Sequence, residues 1–179
     1  MIEYNGSDWN VDSNVIDEDF WKFINTNFTL RQIMEFDKCC KKNIFIESTV
    51  AMMTYALLFA HTFPNSQTAI LVPGVTSGWY SANKLKNIAH SLPVSLLSAN
   101  SNRITFTNGS NIIFPSIGNR QQFIGYRIDL FCFDQFSRMC MSDLEIFLDE
   151  IFPYVNNCGW AKVLVNTLQR EDGWKNQKG

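Results

Sequence analysis

At 179 residues the chain is long enough for one domain with a proper core, and 46% hydrophobic residues with fifteen Phe can fill it. A formal charge of -2 gives no global electrostatic drive toward nucleic acid, and no apolar run reaches the roughly 20 uncharged residues of a membrane span. Five cysteines, an odd number with Cys39 and Cys40 adjacent and no CxxC, argue against a disulfide framework. With only His61 and His90 beside them they also argue against zinc, so they read as reduced, mostly buried thiols.

Residues 1–28 read as an acidic, Asn-rich arm, too polar for a signal peptide, with one short helix over 17–28. Residues 29–170 carry the domain, and 171–179 form a polar tail. "TLRQIMEFDKCC" (29–40) has the spacing of a helix with Leu30, Ile33, Met34 and Asp37 along one side. "KNIFI" (42–46) is a buried strand or the loop after one. Ser48 or Thr49 then caps a long apolar helix over 48–63. "FPNSQ" is a loop, and "TAILVP" (68–73) is a buried strand. A second helix follows within 74–92, with Trp79, Leu85 and Ile88 turned inward. "RITFTNGSNIIF" (103–114) places Asn108–Gly109 between two β-rich runs, the pattern of a hairpin with a type I′ turn. After a polar link over 118–128, "DLFCFD" (129–134) is another buried strand. "MSDLEIFLDEIFPYV" (141–155) is a helix with Leu144, Phe147, Leu148 and Ile151 on one side and Asp143, Glu145, Asp149 and Glu150 on a solvated face. "AKVLVNT" (161–167) is a third buried strand.

Apolar strands alternating with helices specify an α/β fold with a mainly parallel sheet. Ligands of such folds sit at the carboxyl ends of the strands, where Pro73, Asp134 and Thr167 fall. The order and wording of these segments resemble the ATPase domain of the tailed-phage terminase large subunit, the motor that packs DNA into phage heads. "FTLRQIMEF" looks like the family's adenine-side segment, and "ESTVAMMTYALLFAHTFPN" like the helix after its phosphate loop. "ITFTNGSNIIFPSIGNRQQFIGYRIDLFCFDQFSRM" is similar to its hairpin, its link and its Walker B strand. "KVLVNTLQ" resembles the strand bearing the coupling motif. The resemblance covers about 28–169. It implies a P-loop NTPase-like sheet of the RecA or ASCE type, flanked by helices, with a β-hairpin insertion.

The departures from the family concern the chemistry. A phosphate loop needs glycines for close backbone approach, a lysine for the β- and γ-phosphates and a Ser/Thr for magnesium. Aligning Ser48–Thr49 on the family's Ser-Thr without a gap puts Glu47 at the lysine and Ile46 at the glycine, with Asn43 and Ile44 at its arginine and glutamine. A carboxylate repels phosphate: like charges about 4 Å apart at a dielectric near 20 cost about 4 kcal/mol. Gln135 replaces the glutamate that would polarise the attacking water, and an amide cannot act as a base. Ile124 stands at the arginine of the link, and Leu168 replaces the proline after the coupling position, Thr167. The resemblance thus assigns Ser48, Thr49 and Gln32 to nucleotide and Asp134 to magnesium. It leaves no catalytic residue, only the degenerate positions Glu47 and Gln135. No cofactor is expected; Mg-ATP would bind only if the degenerate site were rescued.

The implied function is a virus-encoded, terminase-like pseudo-ATPase acting in the host cytoplasm or on the virion as a regulatory or structural binding module. Its partners would be proteins — terminase, portal or a second copy — with DNA as a further candidate and no membrane. Two alternatives stand beside it: a divergent packaging ATPase completed by a neighbouring subunit, and a nucleic-acid binder without catalysis. For the latter, Lys38, Lys41 and Lys42 make a small basic patch near the degenerate loop. Trp9, Trp21, Trp160 and Trp174 are core residues or partner anchors. The clustered acidic residues of the nuclease domain that follows in the family are not found in these residues.

Overall fold

The computed structural model describes residues 16–41, 44–155 and 161–168. Trp9, Lys42, Asn43, Cys158, Trp160, Trp174 and the tail lie outside them. The described chain forms a seven-stranded sheet in the order β1-β7-β6-β2-β5-β4-β3. Strands β1 (Phe45–Ile46), β7 (Lys162–Asn166), β6 (Leu130–Phe133), β2 (Gln67–Leu71) and β5 (Asn111–Ile113) are parallel. β4 (Arg103–Phe106) and β3 (Leu96–Ala99) add an antiparallel flank. β6 is buried at every residue, as expected of an apolar strand covered on both faces. The short β3 is not evident in the sequence: "SLLSAN" lacks the alternation that marks a strand, and three of its four residues are exposed.

One face of the sheet carries α1 (Glu18–Asn27), α2 (Leu30–Cys40), α3 (Thr49–Thr62) and α4 (Val75–Ala89) over one hydrophobic cluster. α3 is buried from Thr49 to Ala60, so its two-sided apolar sequence marks a central helix. Phe20, Phe23 and Ile24 of α1 join this cluster, so the packed core reaches back to Ile16. The opposite face carries α5 (Met141–Ile146), a π-helical turn (Phe147–Ile151) and α6 (Phe152–Val155) over a second cluster rich in Phe.

Three inward-facing assignments change. On α2, Leu30 and Met34 are 82% and 65% exposed, and the buried side is Gln32, Glu35, Phe36, Cys39 and Cys40. Polar members hide this stripe from a hydropathy reading: Gln32 is drawn in by a capping box with Thr29, and Glu35 by the N–H of Glu47. On α4, Leu85 and Ile88 are buried, but Trp79 is 51% exposed. The helix approaches the sheet through Gly78, where a Cβ would stand 3.1 Å from the Phe114 carbonyl oxygen, and Trp79 lies about 100° round from it. Beyond Ile146 the π turn rotates the helix, so Phe147 and Ile151 stay inside while Leu148 is exposed.

The hairpin is present, but its turn is a three-residue loop. The Gly109 N–H bonds the Phe106 carbonyl and the Phe106 N–H bonds that of Ser110, with positive φ at Gly109 (87°) and not at Asn108. Asn108 instead reaches across to a helix. Its Nδ2 donates to the carbonyls of Ala60 (2.8 Å) and His61 (3.1 Å), closing the end of α3. At the amino edge of the sheet Lys162 does the same for α2. Its Nζ donates to the carbonyls of Cys39 and Lys41 and to the Tyr55 hydroxyl.

Candidate functional site

β1, β7, β6 and β2 end in register, with Phe45 paired to Val165, Val165 to Phe133 and Phe133 to Leu71. A cleft of about 470 Å³ opens just beyond this edge. The first turns of α4 form one wall with Thr76, Ser77 and Tyr80; Gln135, Ser137 and Arg138 form the other. Thr49, Asn166 and Leu168 line it between them. The lining is thus hydroxyls and amides with one cation.

Asp134 lies beneath the cleft, 1% exposed. Its Oδ2 accepts from Ser81 Oγ at 2.6 Å, and its Oδ1 lies 3.5 Å from Asn166 Nδ2. Asn166 also donates to Thr49 Oγ1 (2.9 Å) and accepts from the Leu168 N–H (3.0 Å), tying three segments of the edge together. The chain leaves Asp134 through Gln135 in the left-handed conformation (φ 55°), which disfavours any L side chain by about 1–2 kcal/mol. Gln135 Oε1 accepts from Arg138 Nη1 at 3.0 Å. Among the described residues there is no group of three His, Cys, Asp or Glu placed to hold a metal ion. Magnesium holds nucleotides through one or two carboxylates, phosphate and water. The one carboxylate here is buried with both oxygens engaged, so this donor set does not fit a Mg-nucleotide.

α2 and α3 are separated by Lys41 through Ser48, eight residues, and β1 occupies two of them. Val165 N–H donates to the Ile44 carbonyl (2.7 Å) and Thr167 N–H to that of Ile46 (2.8 Å). The Glu47 N–H donates to Glu35 Oε2 at 2.8 Å, so an internal carboxylate already holds it. Glu35 is itself buried and paired to Lys38 at 2.6 Å. The Glu47 side chain pairs with Arg31 at 3.0 Å, away from the cleft.

No family model matches this chain, and no curated protein does. Solved structures match by shape. A point-mutant ATPase domain of the Thermus phage P74-26 large terminase superposes with TM-score 0.62 at 14% identity, over 85% of this chain and 70% of that one. The fold is that of the large-terminase ATPase domain. Two full-length neighbours agree, both large terminases of a thermophilic bacteriophage. One matches with TM-score 0.59 at 14% identity. The other, solved with ADP, matches with TM-score 0.58 at 17% identity. Each alignment covers 78% of this chain but only 38% of the neighbour.

Set on the terminase fold, the expected residues divide. Thr49, Gln135 and, below them, Asp134 meet at the cleft. Ser48 caps α3 instead, its Oγ accepting from the Ala51 N–H at 3.1 Å, and is buried. Gln32 does not reach the cleft: its Oε1 accepts from the Thr29 N–H at 2.9 Å in the α2 capping box. Thr167 lies where β7 joins β1, its Oγ1 donating to the Ile46 carbonyl. In the link, Ile124 is exposed beside Gly125 at φ 82°. The basic patch is internally balanced, Lys38 on Glu35 and Lys41 on Asp37. Sequence reasoning missed Ser81, Tyr80, Arg138 and Asn166. Arg138 stands four residues past Asp134, close enough to the strand end to have been found. Ser81 and Asn166 are ordinary polar residues whose partner is remote in the chain.

Proposed function

We propose that this chain is a virus-encoded, terminase-like pseudo-ATPase that serves DNA packaging as a regulatory or structural binding module in the host cytoplasm. The carrying observation is the path of residues 44–47. The segment aligned with the phosphate loop is strand-paired to β7, and a buried carboxylate takes its last N–H. A phosphate loop binds by offering several free N–H groups to one anion; here the backbone is committed and Glu47 adds a negative charge. The exposed Leu30, Met34, Phe45 and Trp79 suit a protein that works by contact with terminase, portal or another copy.

Calorimetry with Mg-ATP tests this. Wild type and Glu47→Lys should both show no heat of binding at millimolar nucleotide, because one substitution does not release the strand. Gln135→Glu should add no turnover. Hydrolysis by pure wild-type protein that disappears in Asp134→Ala would overturn the reading and favour an ATPase completed by a neighbour.

A further inference from the structure

We propose that the cleft is a docking groove for an acidic peptide segment of a protein partner, with Arg138 receiving the carboxylate and the exposed face of α4 receiving a neighbouring apolar side chain. This rests on the binding-module reading and names what the module binds. Charge decides the occupant. Arg138 is the one charged residue lining the cleft, and it makes no ion pair among the described residues. The two carboxylates that could have balanced it are diverted: Asp134 to Ser81 and Asn166 below, Glu47 to Arg31 outside. Only one N–H of the Arg138 guanidinium is committed within the site, to Gln135, and this leaves donors for a carboxylate. One guanidinium matches one carboxylate. It does not match the several charges of a triphosphate, for which the site has no lysine and no loop.

The rim supplies the second half of the recognition. Val75 and Trp79 stand one turn apart on the outer side of α4, both about half exposed, and Tyr80 lines the cleft next to them. Aromatic side chains give large contact area at low entropic cost and dominate binding hot spots. The volume, about 470 Å³, lies within the roughly 300–1,000 Å³ of pre-formed ligand sites.

The test selects a random heptapeptide library on the full chain and on Arg138→Gln, then titrates the selected peptides into ¹⁵N-labelled protein. Arg138 is exposed, so the variant should melt with the wild type; a matching thermal transition checks this. Expected are wild-type peptides with Asp or Glu beside an aromatic or aliphatic residue, shifting the amides of Thr76, Tyr80 and Gln135. They should bind Arg138→Gln at least tenfold more weakly and lose affinity with salt. Peptides without a shared carboxylate, equal binding to both proteins, or shifts elsewhere would overturn the proposal. So would a DNA oligonucleotide that shifts these amides when no peptide does. If neither peptides nor Mg-ATP bind, the groove falls and the pseudo-ATPase reading stands; if Mg-ATP alone shifts these amides, both fall.

Discussion

Asp134 was legible as a residue: an apolar strand that ends in an acid marks the carboxyl edge of an α/β sheet. Its present role was not, because that role depends on Ser81 and Asn166, which lie 53 and 32 positions away in the chain. The carboxylate now joins α4, β6 and β7 from within. Asp134→Ala should therefore cost stability, since a buried hydroxyl and amide lose their acceptor, at about 1–3 kcal/mol. Urea denaturation of the two proteins measures it, and an unchanged midpoint would mean the network contributes nothing. The cysteines give a second residue-scale expectation. Cys140 is exposed, and hydrogen bonding from the Ser142 hydroxyl, then from backbone, lowers its pKa. Burial pushes Cys40 up to about 12, and Cys39 and Cys132 also upward. The thiolate is the species above the pKa, so a lowered pKa brings reactivity on at lower pH. Iodoacetamide at neutral pH should label Cys140 well ahead of these three, as peptide mass mapping would show.

At the scale of elements, the strongly apolar strands and α3 were readable because burial on both sides leaves no ambiguity of face. The faces of α2 and α4 were misread for one reason: contacts that fix a helix need not be apolar. A capping amide, a carboxylate on a backbone N–H and a glycine against a carbonyl turned Leu30, Met34 and Trp79 outward. The type I′ expectation for the hairpin failed similarly, since Asn108 is engaged by the end of α3 and keeps negative φ. Gly78→Leu tests the close approach of α4. A branched side chain facing the Phe114 carbonyl should cost about 1–3 kcal/mol of overpacking and lower the melting temperature. The same change at Asn83, an exposed position of α4, should leave it nearly unmoved.

For the molecule as a whole, strand order and helix placement reproduce the terminase ATPase domain at 14% identity, which shows how much of a fold rests on burial pattern alone. The chemistry was less legible. Substitution at Glu47 and Gln135 could be read from the sequence, but not the path of the backbone between α2 and α3. That path has a consequence for anyone who would engineer activity here. A phosphate cradle takes about seven residues between strand and helix; this chain has eight for strand and connection together. Replacing side chains alters the decoration of that segment and leaves its itinerary unchanged. Hydrolysis could be grafted onto this scaffold only by lengthening it, and the added slack would first unzip β1 from β7.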